Sequence, residues 1–127
     1  MDLEGIDHVA LSVRDVEGSA QWYIEVLGFE RRHAEMWSGI PTFIGKGTTA
    51  IALFPIRDNG ESASHGRPAK IRMLHFAFRT DAKNFEVAQK ELKQRGINFE
   101  FQDHEISHSI YFHDPDGHEL EITTYDI

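Results

Sequence analysis

Apolar and other residues alternate over positions 7–13. Val9, Leu11 and Val13 share one parity, and His8, Ala10 and Ser12 the other. A period of two predicts a strand with one face on a core and the other turned away from it. The pattern returns at 74–79, where Leu74, Phe76 and Phe78 stand against His75 and Ala77. Each strand is followed by a helix-capping aspartate, Asp15 or Asp81. Val16, Ala20, Tyr23, Ile24 and Leu27 then recur at helical spacing up to Gly28. In the second half Phe85, Ala88 and Leu92 form the stripe and Gly96 stops it. Three short strand patterns follow each glycine, at 29–36, 42–45 and 49–55, and at 97–101, 107–113 and 118–124.

Each half therefore reads strand, helix, three strands, an α+β arrangement of two βαβββ modules in one domain spanning 1–127. Module one covers about 1–56 and module two about 71–127. The Gly-, Ser- and charge-rich stretch 57–70 is expected to link them. Asp114, Pro115, Asp116 and Gly117 spell a tight turn that makes a hairpin of the last two strands.

Composition narrows the function classes. The chain has 127 residues, 40% of them apolar, with nine Phe, enough for a real core. Its 13 basic and 21 acidic side chains leave a net charge of −8, which argues against a nucleic-acid or anionic-membrane surface. Residues 1–5 are acidic and lack an apolar stretch, and no run is long enough to span a bilayer, so a cytoplasmic protein is expected. There is no cysteine, which removes disulfides and thiolate chemistry. Eight histidines remain, and histidine with carboxylate makes metal sites.

Parity selects among them. His8 and His75 occupy equivalent places in the two modules, on the face away from the helix. Glu119 and Glu121 share one face of the last strand, opposite Leu120 and Ile122. Two imidazoles and a carboxylate with open positions form a catalytic constellation for a divalent metal. On periodicity alone, a metal site and ordinary polar strand residues remain equal readings. Aligning the modules sets Leu53 opposite Glu121 as its counterpart.

Four stretches then carry a family resemblance: Asp7–His8–Val9–Ala10–Leu11; Trp22–Tyr23 through Leu27–Gly28–Phe29; Leu74–His75–Phe76–Ala77–Phe78; and the run from Ser109 through the turn to Glu121. Together the chain resembles the vicinal oxygen chelate superfamily of glyoxalase I, fosfomycin- and bleomycin-resistance proteins and extradiol dioxygenases. The resemblance implies paired βαβββ modules whose sheets curl into an open barrel around a metal. It places the metal ligands on His8, His75 and Glu121, the residues that parity selects. The metal would be divalent: Fe, Mn, Zn, Ni or Co. A fourth, glyoxalase-type ligand would fall on Leu53, which cannot ligate.

The resemblance also implies a small substrate chelating through adjacent oxygens, and a homodimer in which His8 of one chain joins His75 and Glu121 of the other. Lyase, isomerase or dioxygenase chemistry follows; a metal-free ligand-sequestering protein and a fosfomycin-type transferase are the alternatives. Against the transferase stand Ala10, where that branch has threonine, and the lack of Lys or Arg over 122–127. Tyr111, with Ser109 and His113, falls on the cavity face of its strand and is the candidate oxygen-binding hydroxyl. His104 is the candidate general acid or base, with His108 on the same approach. Glu119, His33, His65 and His118 read as surface residues. Trp37, Phe43, Ile51 and Leu53 either line an apolar pocket or pack the core.

Overall fold

A computed structural model describes residues 1–2, 4–56 and 72–127. The 57–70 linker and His65 lie outside the described residues. The chain divides into two compact units, Met1–Ile71 and Arg72–Ile127.

Unit 1 runs β1 (Val9–Val13), α1 (Val16–Leu27), β2 (Glu30–Arg32), a 3-10 turn (Trp37–Gly39), β3 (Thr42–Lys46) and β4 (Thr49–Pro55). Unit 2 runs β5 (Phe76–Arg79), α2 (Ala82–Gln94), β6 (Glu100–Asp103), β7 (His108–His113) and β8 (Glu119–Thr124). Each unit holds one mixed four-stranded sheet, ordered β1-β4-β3-β2 and β5-β8-β7-β6. In both, the first strand pairs in parallel with the last, and the others are antiparallel.

The helix ends follow from their residues. Asp15 accepts a hydrogen bond from the Gly18 amide at 3.0 Å, and Asp81 from the Asn84 amide at 2.8 Å. Such caps each contribute about 1 kcal/mol. Gly28 ends α1 at φ 72°, with its amide on the Ile24 carbonyl and that of Phe29 on Tyr23. Most core faces are the ones period two predicts, but on the β5 stretch Leu74 is 65% exposed and Phe76 and Phe78 are only half-buried. Val13, Tyr23, Ile44, Ile51 and Leu53 are buried in unit 1, and Ile110, Phe112 and Leu120 in unit 2.

Three expectations change. β2 stops at Arg32 rather than 36, because His33, Trp37 and Ser38 take left-handed φ of 53° to 55°. β6 begins at Glu100 rather than 97 and extends to Asp103. The end of α2 uses the intervening residues, with the Gly96 amide on the Lys93 carbonyl and that of Ile97 on Leu92. Third, the register corrects the counterpart of Glu121. Ala77 pairs with Glu121 in unit 2, whereas in unit 1 the matching Ala10 pairs with Ala52. Leu53 pairs with Leu11 on the helix side and is fully buried. A fourth ligand is absent there in either case, since Ala52 cannot ligate.

Candidate metal-binding half-sites

In unit 2 the strand register assembles a polar face. His113, Tyr111 and Ser109 on β7 pair with Glu119, Glu121 and Thr123 on β8. Glu121 pairs in turn with Ala77, so His75, one alternation before Ala77, reaches the same side. His75 Nε2 lies 3.0 Å from Glu121 Oε1. That is roughly the spacing of two donors on bonds of about 2.1 Å meeting at a right angle. His75 Nδ1 lies 3.9 Å from Glu119 Oε1. Glu119 is half-exposed beside the ring, beyond hydrogen-bond distance of it.

Glu121 is held firmly. The buried Ser109 hydroxyl donates to Glu121 Oε2 at 2.6 Å and has Thr123 Oγ1 at 3.0 Å. This occupies one carboxylate oxygen and leaves Oε1 toward His75. Tyr111 meets the His75 ring edge to face, 5.5 Å between centroids. Its pKa is raised above 10.0, first by burial, then by the charge of Glu121 and a hydrogen bond to it. At neutral pH it is therefore a phenol that can donate. His104 Nε2 lies 3.0 Å from Tyr111 Oη, so the two candidate acid–base residues touch. His104 is exposed, on the tight 104–107 connection that Glu105 closes at φ 71°. His75, Tyr111, His113 and Glu119 line an open cavity of about 610 Å³. His108 packs on Phe101 at 5.2 Å and does not share the contacts of His104.

Unit 1 presents His8 on the corresponding face of its own sheet. Its Nδ1 sits 2.8 Å from Asp7 Oδ2, which leaves Nε2 as the outward donor. The His8 ring meets Phe43 at 5.2 Å, and Phe43 meets Trp37 at 5.3 Å and His33 at 5.4 Å. Trp37 and Phe43 are thus beside His8, while Ile51 and Leu53 are core. His33 is exposed, as expected, and its ring also packs on Phe43 and Trp37.

Among the described residues no three His, Asp or Glu side chains form a group that could hold a metal ion. The structure brings His75 and Glu121 together in one unit and shows His8 in the other. The donors fit a divalent ion by chemistry: two imidazoles, that of His8 held by Asp7 through its far nitrogen, and a carboxylate with one oxygen anchored by Ser109. Sequence reasoning missed the backing role of Asp7, and Arg32 altogether. Arg32 pairs with Phe43 across β2 and β3, which places it on the His8 face. Three successive charged residues, Glu30, Arg31 and Arg32, carry no apolar alternation that would have marked its face. His118, expected at the surface, is half-buried against Asp114, its Nδ1 2.7 Å from Oδ2.

Residues 5–122 match the glyoxalase/bleomycin resistance protein/dioxygenase superfamily. The glutathione transferase FosA of Serratia marcescens is 30% identical over 94% of this chain and 80% of its own length. The catechol-2,3-dioxygenase of Bacillus subtilis is 29% identical over 92% of this chain, but only 40% of its own length is covered. Among solved structures, lactoylglutathione lyase of Agrobacterium tumefaciens superposes with a TM-score of 0.75 at 21% identity, covering 98% of this chain and 96% of that one. At that identity the likeness concerns the fold alone.

Proposed function

The chain belongs to the glyoxalase/bleomycin resistance protein/dioxygenase superfamily, and from that premise we propose that it is a divalent-metal-dependent enzyme acting on a small substrate with adjacent oxygens. His8, His75 and Glu121 are its metal ligands in this reading. The carrying observation is the 3.0 Å approach of His75 Nε2 to Glu121 Oε1, with Glu121 anchored from behind by Ser109. When bound, such an ion supplies Lewis-acid stabilisation of charge developing on a substrate oxygen or, as iron, oxygen chemistry.

The chain's own residues do the rest. Tyr111, edge to face with the His75 ring, donates a hydrogen bond to a substrate oxygen over the His75–Glu121 face. His104 exchanges the phenol proton with solvent through its 3.0 Å contact. The open cavity beside them admits the substrate. This reading admits lyase, isomerase and dioxygenase chemistry. Similarity to the FosA transferase favours a second reading, a group transfer onto a metal-held substrate. A cation on the His8 face, Arg32, supports it against the lack of basic residues at 122–127.

Thermal unfolding of chelator-treated protein tests the metal reading. Added Mn, Ni, Co or Zn should raise the stability by about 2.7 kcal/mol at a hundredfold excess over Kd. Glu121→Gln should gain nothing. An unchanged melting temperature for the parent with every metal would favour the ligand-sequestering alternative.

A further inference from the structure

We propose that Thr123 is a positioning residue for Glu121, acting through Ser109, and that the two hydroxyls hold the carboxylate to a single metal-facing oxygen. The inference rests on the metal-enzyme reading and adds to it a residue outside the ligand set. Strand register brings the three groups together. Ser109 on β7 stands directly opposite Thr123 on β8, and Glu121 lies two residues before Thr123 on the same face. A strand side chain can reach both its direct partner and the diagonal one. Ser109 does so: its hydroxyl is 2.6 Å from Glu121 Oε2 and 3.0 Å from Thr123 Oγ1.

Proton counting sets the direction of this chain. A serine hydroxyl carries one hydrogen, and a carboxylate only accepts. The Ser109 hydrogen is therefore committed to Glu121, at a distance typical of a hydroxyl on a charged oxygen. Toward Thr123 the Ser109 oxygen can only accept, so the Thr123 hydroxyl is the donor there. Its other acceptor, the His108 carbonyl, is farther off at 3.3 Å. Hydrogen bonds in series polarise one another, so accepting from Thr123 strengthens what Ser109 gives to Glu121.

The chain matters because this carboxylate is buried without a lysine or arginine. Glu121 is 9% exposed and Ser109 fully buried. Among the described residues the one ion-pair partner of Glu121 is the His75 ring. Arg79, beside Thr123 on β5, lies over the Tyr125 ring at 4.5 Å instead. A buried charge depends on the hydrogen bonds it receives. Here they come to Oε2, and Oε1 faces His75 Nε2 at 3.0 Å. With Oε2 held, Glu121 offers a metal one oxygen rather than two, which keeps a position open for substrate.

Titration of metal-free protein with Co(II), followed by its visible absorption, tests the chain. Thr123→Val keeps the side-chain shape and removes the hydroxyl. It should weaken Co(II) binding about three- to tenfold, the effect of one neutral hydrogen bond. It should also lower the absorption per bound ion, because a released Oε2 raises the coordination number. Thr123→Ser should restore both. In a Ser109→Ala background, Thr123→Val should add nothing, since the two act in series. If Thr123→Val fails to fold, Thr123→Ala against Thr123→Ser makes the same comparison. Parent affinity and spectrum in folded Thr123→Val, an equal loss in Thr123→Ser, or a full further loss on top of Ser109→Ala would each overturn the role. Co(II) binding by the parent with an unaffected Thr123→Val rejects this inference alone. No Co(II) binding by the parent rejects the metal reading, and this inference with it.

Discussion

Ser109 has no charge and no place among the proposed ligands, yet it decides how Glu121 is presented. Its hydroxyl occupies Oε2 at 2.6 Å in a buried position, so Oε1 is the oxygen left facing His75. Ser109→Ala should weaken metal binding about ten- to hundredfold, as loss of such outer partners does, read by competition with a coloured chelator. Glu121→Gln should abolish it. At this scale the sequence is informative where period two controls the outcome: His75, Tyr111, Ser109 and Glu121 fall on one face because strand parity puts them there. It is silent where side-chain reach controls it. Nothing in a periodicity says that Glu119 leans toward His75, that His33 joins a ring cluster, or that Arg32 lies over Gly45.

Single elements carry their own tests. The turn between β7 and β8 is built on buried Asp114, which accepts from the amides of Asp116 and His118 and from the His118 ring. That ring hydrogen bond is the largest cause raising the His118 pKa above 6.5; burial works against it. The folded state therefore holds the proton more tightly than the unfolded chain. The stabilisation is fully present below pH 6.5 and is lost as pH rises through the folded value. Melting temperature against pH should show this decline in the parent and a flatter profile in His118→Ala. At the other end of the fold, Gly28→Ala should cost about 1 kcal/mol, because φ 72° suits glycine, and a lower urea midpoint would report it. The helices and most strands were legible because their caps and apolar stripes are local. The ends of β2 and β6 were not, since they depend on left-handed residues and on how α2 terminates.

For the whole molecule, the repeat was readable from sequence, but the precise equivalence of the halves was not. One residue of difference in loop length moves the counterpart of Glu121 from Leu53 to Ala52. How the ligands are shared is open to direct test. If His8 of one chain completes the site of another, unfolding and refolding His8→Ala together with His75→Ala yields mixed dimers with one intact ligand set. Metal binding should then return in part, and no recovery would place the three ligands within one chain. The central claim, that these three residues hold a divalent ion, is tested most directly by elemental analysis of metal-reconstituted, dialysed protein. About one equivalent of a single divalent metal per chain, falling to background in folded His75→Ala, is the predicted result. Background metal in the parent, or an undiminished equivalent in His75→Ala, would contradict it.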